Sequence, residues 1–134
     1  MPEKRYLGDV EVGEAVGPVS YVMTRERAQF AASNLGITEF ETDASGNLLA
    51  PGCATDNDYL MIMAEGFTAK EPVHTKADNF YINPPTIGKR MTVSGEVTDK
   101  YTKRGRDFVV FETITRDQDG REIVRSRNTL LIEL

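Results

Sequence analysis

The sequence predicts an α+β fold in which one antiparallel sheet wraps around one main helix. The C-terminal half reads as consecutive long strands separated by turn residues. Upstream of them lies a single apolar stripe at helical spacing, which is typical of a helix that covers a sheet. The chain has 134 residues, 40% of them hydrophobic, so we expect residues 1–134 to form a single domain with a core of its own.

Two shorter elements are predicted before the main helix. The segment from Tyr6 to Glu14 suits a short strand or an extended lead-in to the fold. A small helix is predicted to start at Thr24 and to end at Asn34-Leu35-Gly36. Its apolar residues are Ala28, Phe30, Ala31 and Ala32.

The main helix is predicted downstream of this small helix. Thr55-Asp56-Asn57-Asp58 could cap its beginning by the Thr-x-x-Asp pattern, and Gly66 is a plausible end. The apolar stripe that identifies the helix consists of Met61, Ala64 and Phe67, with Leu60 and Met63 beside them.

The segment from Val73 onward is predicted to form the sheet. Asn83-Pro84-Pro85 ends one strand, because proline cannot donate to a ladder and restrains the residue before it. Lys103-Arg104-Gly105 and the run 117–120 are polar, glycine-containing connections of the kind that hairpins use. The run 108–111 is apolar on both faces, as in a strand that is covered on both sides. Period-two alternation places Met91, Val93, Val97 and Tyr101 on one face and Thr92, Ser94, Glu96 and Thr98 on the other.

Composition excludes several classes of function. A net charge of -5 argues against a nucleic-acid-binding domain, whose surface would be basic. No apolar run is long enough to span a bilayer, and the N terminus lacks the apolar core of a signal peptide, so we expect a cytoplasmic protein. With one cysteine and one histidine we expect no metal site, and we expect no cofactor. A sheet wrapped on one helix leaves an edge to protect, which favours a homodimer.

The chain resembles the MaoC-like branch of the hotdog fold superfamily, which includes (R)-specific enoyl-CoA hydratases and dehydratases. The resemblance covers nearly the whole length of the chain. The matching residues determine the scaffold, and none of them is itself a catalytic group. Its blocks are VGEAVGPVSYVMTRERAQFAAS, LLAPGCATDNDYLMIM and the most specific one, VHTKADNFYINPPTIGKRMTVSGEVTDKYTKRGRDFVVFE. The resemblance therefore implies a hotdog domain, and it implies a reaction only by analogy.

The family's catalytic pair is absent from the expected place. Its members carry an Asp-x4-His arrangement in the loop before the main helix, but here the loop AASNLGITEFETDASGNLLAPG has no histidine. One alignment puts Asn34 in the aspartate position and Glu39 in the histidine position. A second matches Glu41-Thr42-Asp43 to the family's His-x-Asp run, with Glu41 in place of the histidine.

The backbone hydrogen-bond donor that the family uses for the thioester oxygen is still present in the sequence, unlike the catalytic pair. Pro51-Gly52 matches the family step in which a backbone N–H points at that oxygen, with a tight turn as the alternative interpretation of Gly52. Asp56 and Asp58 follow, either as caps or with one of them facing the pocket as a base. In the second case we expect a pair with Glu39, Glu41 or Asp43, whose repulsion would raise one pKa.

Two further features have both a structural and a functional interpretation. His74, the only imidazole, is either a hydrogen-bonded histidine at the rim of the sheet or a substrate-binding residue. The cations Lys100, Lys103, Arg104 and Arg106 are either solvated hairpin charges or a site for the phosphates of coenzyme A or a carrier arm.

Three functions follow from these residues and the resemblance. The first is a hydratase or dehydratase-type lyase acting on an acyl thioester or a related unsaturated small molecule, with the altered pair described above. The second is a hotdog thioesterase that uses Asp56 or Asp58. The third is a non-catalytic hotdog subunit of a hetero-oligomeric dehydratase.

Overall fold

A computed structural model describes residues 3–133 of the chain. In chain order the strands are β1 (Arg5–Tyr6), β2 (Ala15–Val22), β3 (Glu41–Thr42), β4 (Leu48–Leu49), β5 (Phe67–Thr68), β6 (Val73–Tyr81), β7 (Arg90–Lys103), β8 (Arg106–Asp117) and β9 (Glu122–Leu131). The helices are α1 (Arg25–Asn34) and α2 (Asp58–Gly66), with 3₁₀ turns at Leu7–Asp9 and Gly52–Thr55. The main sheet is antiparallel, with the strand order β2-β7-β8-β9-β6. None of the helices within residues 3–133 is both long and apolar enough to cross a bilayer.

The predicted sheet and its turns are confirmed. Strand β6 ends at Tyr81, just before Asn83-Pro84-Pro85, and the two predicted hairpins join β7 to β8 and β8 to β9. The tip of the first hairpin is Arg104-Gly105, and both residues have positive φ, at 53° and 73°. Two successive positive φ values match the right-handed twist of the flanking strands.

Strand β2 was missed by the sequence analysis, which places a strand or lead-in only as far as Glu14. Gly17 and Pro18 interrupt its pattern, because a proline cannot take part in a continuous ladder. In the structure β2 lies at an edge of the sheet, and its pairing with β7 has a register shift between Val16 and Val19, where the proline is located. A bulge at an edge is a position where proline is tolerated.

The predicted small helix is confirmed. The hydroxyl oxygen of Thr24 accepts a hydrogen bond of 3.2 Å from the backbone N–H of Arg27, which is the N-cap contact that the residue type predicts. The helix ends at Asn34, and Gly36 follows with a φ of 71°. Phe30 was predicted to belong to its apolar residues, yet 71% of its surface is exposed.

The main helix is confirmed, but its predicted capping is wrong. It begins at Asp58 and ends at Gly66, and its N-cap residue Asn57 makes no side-chain capping bond. The hydroxyl of Thr55 instead donates to the carbonyl of Gly52, 2.7 Å away, within the preceding 3₁₀ turn. The predicted stripe is confirmed in part: Met61, Met63 and Phe67 are half-buried against the core, whereas Leu60 and Ala64 are exposed. The buried residues of the helix are Asp58, Tyr59 and Ile62.

A buried carboxylate joins the helix to the sheet. Asp58 has only 5% of its surface exposed, and it accepts hydrogen bonds from Tyr21 of β2 at 2.9 Å and Thr115 of β8 at 2.7 Å. An unpaired buried carboxylate would cost several kcal/mol, so these two donors are what allow the residue to lie there. The first residue of α2 is thereby attached to two strands.

Around this contact lies an apolar core between the helix and the concave face of the sheet. Helix α2 packs against β2 and β7, and the ring of Phe67 at its end lies 5.9 Å from the ring of Phe111. Fully buried members of the core include Leu7, Val10, Met23, Met91, Val93, Val97 and Val109. Burial of such side chains contributes about 1.5–3 kcal/mol each.

The main sheet has two edge strands, β2 and β6, and β6 forms the more exposed, open edge. Strand β6 pairs with β9 on one side, and within residues 3–133 no strand pairs with its other side. Nearly all of its residues are exposed, including Val73, Phe80 and Tyr81. A long edge strand with exposed apolar side chains is a template for pairing with another strand.

Burial raises the pKa of Asp58 from 3.8 to about 6, although the bonds from Thr115 and Tyr21 act in the opposite direction. The folded protein therefore holds this proton more tightly than the unfolded chain does. Protonation of Asp58 therefore adds about 3 kcal/mol to the free energy of unfolding. This contribution is fully present below about pH 4 and is lost as the pH rises through about 6. We expect Asp58→Asn to remove this loss.

Urea unfolding of the wild type and the variant at several pH values measures the effect. The stability of the variant relative to the wild type should improve by about 3 kcal/mol between pH 4 and pH 7. A constant difference across this range would contradict the prediction. The same comparison with Glu65→Gln, an exposed carboxylate on the same helix that forms no ion pair within 4.0 Å among residues 3–133, provides the control.

Candidate active site

The candidate site begins at the 3₁₀ turn before α2. Pro51 enters the turn in an extended conformation, and Gly52 follows it. A Cβ atom on Gly52 would lie 3.0 Å from the ring of Tyr81, so the absence of a side chain lets the turn approach this strand residue closely. Within residues 3–133 no acceptor takes a hydrogen bond from the backbone N–H of Gly52 or Cys53. Both groups therefore remain available as donors.

Asp56 is the carboxylate that this turn places next to the sheet. Its Oδ1 accepts a hydrogen bond from the hydroxyl of Tyr81, the last residue of β6. Burial, reinforced by Asp56, raises the pKa of Tyr81 to about 12, so the phenol stays protonated and keeps donating. The side chain of Asp56 is half-buried and held in one direction.

Asp56 and Asp58 contact the same row of the sheet. Thr115, Val124 and Tyr81 face one another across β8, β9 and β6. Asp58 accepts a hydrogen bond from Thr115 at the inner end of this row. Asp56 accepts one from Tyr81 at the outer end. With Tyr21, three hydroxyl donors thus orient the start of the helix, two in the core and one at the open edge.

A cavity of about 640 Å³ lies between this turn and α1. Cys53, Ala54, Asp56 and Asn57 form one wall, and the facing side of α1 contributes Glu26, Arg27, Phe30, Ala31 and Asn34. Phe30 and Leu35 are more than half exposed at its boundary, so the cavity combines apolar walls with a few polar groups. This composition is common in small-molecule sites.

The polar groups of the cavity carry both signs of charge. The guanidinium carbon of Arg27 lies 4.6 Å from the centre of the Tyr21 ring, and this stacking holds the cation in place. Burial and the charge of Asp56 raise the pKa of the Cys53 thiol, so the thiol is not an activated nucleophile. The acids of this cavity are Glu26, exposed on α1, and Asp56, whose carboxylate is oriented by the hydrogen bond from Tyr81.

Two of the predicted site residues line this cavity, whereas Gly52 and the other predicted site residues do not. Asn34, the last residue of α1, lines the cavity together with Asp56. Glu39 is exposed and lines a different cavity of about 530 Å³ beside Ser33 and Phe40. The structure therefore brings Asn34 and Asp56 together and leaves Glu39 apart from them.

The other acids of the loop are also apart from Asp56. Glu41 is exposed on the short strand β3. Asp43 accepts hydrogen bonds from the backbone of Ser45 and Asn47 and from the side chain of Asn47. The bonds from Asn47 are the main reason that the pKa of Asp43 is lowered. Asp43 shapes a turn, and the predicted pairing of a loop acid with a helix acid is not seen.

The remaining predicted residues are engaged with protein groups. Asp58 is buried beneath the helix and does not line the cavity. His74 lies on β6, where its Nδ1 is 2.8 Å from the hydroxyl of Tyr59 and its Nε2 is 2.9 Å from Oδ1 of Asn128. Asn128 is fully buried, so His74 connects a core amide to the helix at the rim of the sheet.

Tyr81 is the site residue that the sequence analysis missed. It lies on a strand that was predicted, but no pattern in the sequence connects it to Asp56, 25 residues earlier. Its position directly before Ile82-Asn83-Pro84, at the end of a strand, was the available signal, because strand ends often hold functional side chains. Arg27 and Glu26 were missed for the same reason.

The predicted basic cluster divides into two parts. The ammonium group of Lys100 donates to the carbonyls of Gly8 at 2.7 Å and Val10 at 3.0 Å, so it fastens the N-terminal segment to the sheet. Lys103, Arg104 and Arg106 are exposed at the tip of the β7–β8 hairpin. Across residues 3–133, no group of three or more His, Cys, Asp or Glu side chains could hold a metal ion.

Comparison with solved structures identifies the fold. The R-hydratase PhaJ1 from Pseudomonas aeruginosa is 16% identical with a TM-score of 0.76, covering 93% of this chain and 83% of that one. For the HadBC (3R-hydroxyacyl-ACP dehydratase) complex from Mycobacterium tuberculosis the identity is 17% and the TM-score 0.77, with 93% and 99% covered. A MaoC-like dehydratase from Rhodospirillum rubrum is 18% identical with a TM-score of 0.76, with 96% and 97% covered.

These likenesses show that the chain has the hotdog fold, as the sequence predicted. The structural neighbours include MaoC-like dehydratases and (R)-hydratases, the group that the sequence resembles, and also a thioesterase superfamily member from Thermus thermophilus with a TM-score of 0.60. No family model matches the sequence, and no curated protein matches it either.

The contacts of His74 lead to a prediction about stability. We expect His74→Phe to lower the free energy of unfolding by about 1–3 kcal/mol, because the buried amide oxygen of Asn128 loses its partner. Chemical denaturation measures this loss. Lys76→Gln, an exposed change on the same strand, should stay within about 0.5 kcal/mol. Equal effects of the two substitutions would contradict the assigned contacts.

Proposed function

We propose that this chain is a hydratase or dehydratase-type lyase that acts on an acyl thioester, with Asp56 as its general base. The observation that carries the proposal is Asp56, a residue of the cavity wall whose carboxylate accepts a hydrogen bond from Tyr81, together with Cys53 of the same wall, whose backbone N–H has no protein acceptor among residues 3–133. The fold and the names of its structural neighbours support the reaction class by analogy.

Hydration of an enoyl thioester requires a base, a proton donor and stabilisation of charge on the thioester oxygen. In the proposed reaction, Asp56 takes a proton from water while the water oxygen bonds to the β-carbon. The electron pair of the double bond moves towards the thioester carbonyl. The proton on Asp56 is then delivered to the α-carbon, so one water molecule is added and the carboxylate is regenerated.

The turn at Gly52 supplies the charge stabilisation in this proposal. The N–H groups of Gly52 and Cys53 have no protein acceptor among residues 3–133, and they lie beside Asp56 in the chain. Fixed backbone donors stabilise a developing oxyanion without having to reorganise. Asn34, which lines the same cavity, is suited to hydrogen-bond the attacking water or the substrate.

This assignment explains how the chain can dispense with the family's histidine. The only histidine, His74, is engaged with Tyr59 and Asn128 and does not line the cavity. A tyrosine that donates to a carboxylate replaces one part of the histidine's role, because it orients the base. Tyr81 is a positioning residue in this scheme, and Asp56 is the catalytic residue.

The active unit is proposed to be a homodimer joined through β6. The open edge of β6 carries exposed apolar residues, including Phe80 at 70% exposure. Antiparallel pairing of two copies of this strand would satisfy both sets of free backbone groups and bury these side chains. Tyr81 lies on this strand, so dimerisation would enclose the site on its open side.

Substitution of the two residues tests the proposed chemistry. With crotonyl-CoA as substrate, followed by loss of its enoyl absorbance, we expect Asp56→Asn to lower kcat by about 10²–10⁴-fold. Tyr81→Phe should lower it by about tenfold, since one hydrogen bond to the base is lost. Glu39→Gln should leave the rate within about twofold, because Glu39 lines a different cavity.

Other outcomes identify the alternative functions. Release of free thiol with unchanged enoyl absorbance would indicate a thioesterase. A folded wild type without either activity would favour the non-catalytic subunit. Full activity of Asp56→Asn would remove this residue from the mechanism.

The assembly has its own prediction. Sedimentation analysis should give a mass near 29.8 kDa, twice the 14.9 kDa of one chain. Phe80→Lys should weaken the dimer by about tenfold or more, because a lysine on an edge strand opposes pairing. Val12→Lys changes an exposed apolar residue elsewhere and should leave the dimer intact. A wild type that stays monomeric at high concentration would refute the dimer.

A further inference from the structure

The tip of the β7–β8 hairpin presents three cations without protein partners. Lys103, Arg104 and Arg106 are exposed, and among residues 3–133 none of them lies within 4.0 Å of a carboxylate oxygen. Asp107, the nearest acid in sequence, accepts a hydrogen bond of 2.5 Å from the hydroxyl of Thr102. In a chain with a net charge of -5, this tip is a local concentration of positive charge.

The conformation of Arg104 is a second observation at the same place. Its φ of 53° lies in the left-handed region, which asparagine and glycine adopt more readily than arginine does. A turn selected for stability alone would therefore favour one of those residues. Backbone strain at an exposed cation suggests that the side chain is kept for another purpose.

The register of the sheet locates this tip relative to the site. Phe108, just after the hairpin, is opposite Leu131, and Leu131 is opposite Val73 at the start of β6. Tyr81 and the site lie at the other end of β6. Strand β6 has 9 residues, so the hairpin of the same chain is separated from its site by roughly 26 Å along the strand.

Antiparallel pairing of β6 with β6 of a second copy brings the hairpin of one chain towards the site of the other. The Val73 end of the partner lies beside the Tyr81 end of the first chain, with both concave faces on the same side. The hairpin of the partner is then displaced only laterally, by three to four strands. At the usual spacing between strands this is roughly 14–19 Å.

We propose that Lys103, Arg104 and Arg106 of one chain bind the phosphates of coenzyme A whose acyl thioester occupies the site of the other chain. This inference rests on the proposed function and on the β6 dimer. The thioester lies at Gly52 and Asp56, and the pantetheine arm leads across the dimer boundary to the hairpin. Two guanidinium groups and an ammonium group suit the several phosphate oxygens of the nucleotide.

Binding and kinetics test the role of the charges. The variant carries Lys103→Gln, Arg104→Asn and Arg106→Gln, with asparagine chosen because it suits the left-handed position. We expect its Kd for free coenzyme A, measured by calorimetry, and its KM for crotonyl-CoA to rise by about tenfold or more. KM for crotonyl-N-acetylcysteamine, which has no phosphate, should stay within about twofold, and kcat should be unchanged.

A matched control removes the same number of charges elsewhere. Lys4→Gln, Arg90→Gln and Arg121→Gln alter exposed cations that form no ion pair within 4.0 Å among residues 3–133. This variant should bind coenzyme A within about twofold of the wild type. An equal loss in both variants would show a general effect of net charge and would overturn the proposal.

A mixed dimer tests whether the hairpin acts across the boundary. One chain carries Asp56→Asn, the other carries the three hairpin changes, and differently tagged copies are purified together as a heterodimer. If the hairpin serves the partner's site, both defects fall on one site and the other is intact, so about half of the wild-type activity at low substrate should remain. If the hairpin serves its own chain's site, only about half of the hairpin variant's activity should remain, roughly one-twentieth of the wild type at low substrate, and this result would overturn the cross-chain assignment.

The outcomes separate this proposal from the proposed function. A wild type that binds coenzyme A through the hairpin but turns over no enoyl thioester would refute the reaction and support the phosphate site. Normal turnover with unchanged Kd and KM in the hairpin variant would refute the phosphate site alone. Loss of activity only with thioesters of acyl carrier protein would assign the cations to a protein surface and would also overturn the proposal.

Discussion

The buried carboxylate of Asp58 is the contact on which the position of the main helix depends. It unites a tyrosine from one edge strand and a threonine from a central strand at the first residue of α2. Apolar packing is non-directional and would tolerate small shifts of a helix along a sheet. Hydrogen bonds are directional, so these two bonds define where the helix begins. The position of the residues just before the helix therefore depends on these two bonds.

The position of the candidate site depends directly on this contact. Asp56 lies two residues before Asp58, and the 3₁₀ turn carries it out to Tyr81 on the open edge. The same short segment therefore holds one acid in the core and another beside a cavity. The two carboxylates have different surroundings, which separates a structural role from a proposed catalytic one.

Features that depend on local sequence patterns were predicted correctly. Strand alternation, hairpin turns and the Thr24 cap all act over a few residues, and the structure confirms them. Strand β2 was missed because Gly17 and Pro18 break the pattern, and a bulge at a sheet edge compensates for them only in three dimensions. Asp58 was interpreted as a cap for a similar reason: its partners, Tyr21 and Thr115, are 37 and 57 residues away. The pairing of Asp56 with Tyr81 depends equally on the assembled sheet.

The left-handed arginine at the hairpin tip has a consequence for how this chain can vary. Replacement of Arg104 by asparagine or glycine would relax the backbone and favour the fold, yet would discard a cation. Selection for stability and selection for the proposed phosphate binding would therefore favour different residues at this position. Among natural variants, the residue found there would record which of the two demands had dominated in each lineage.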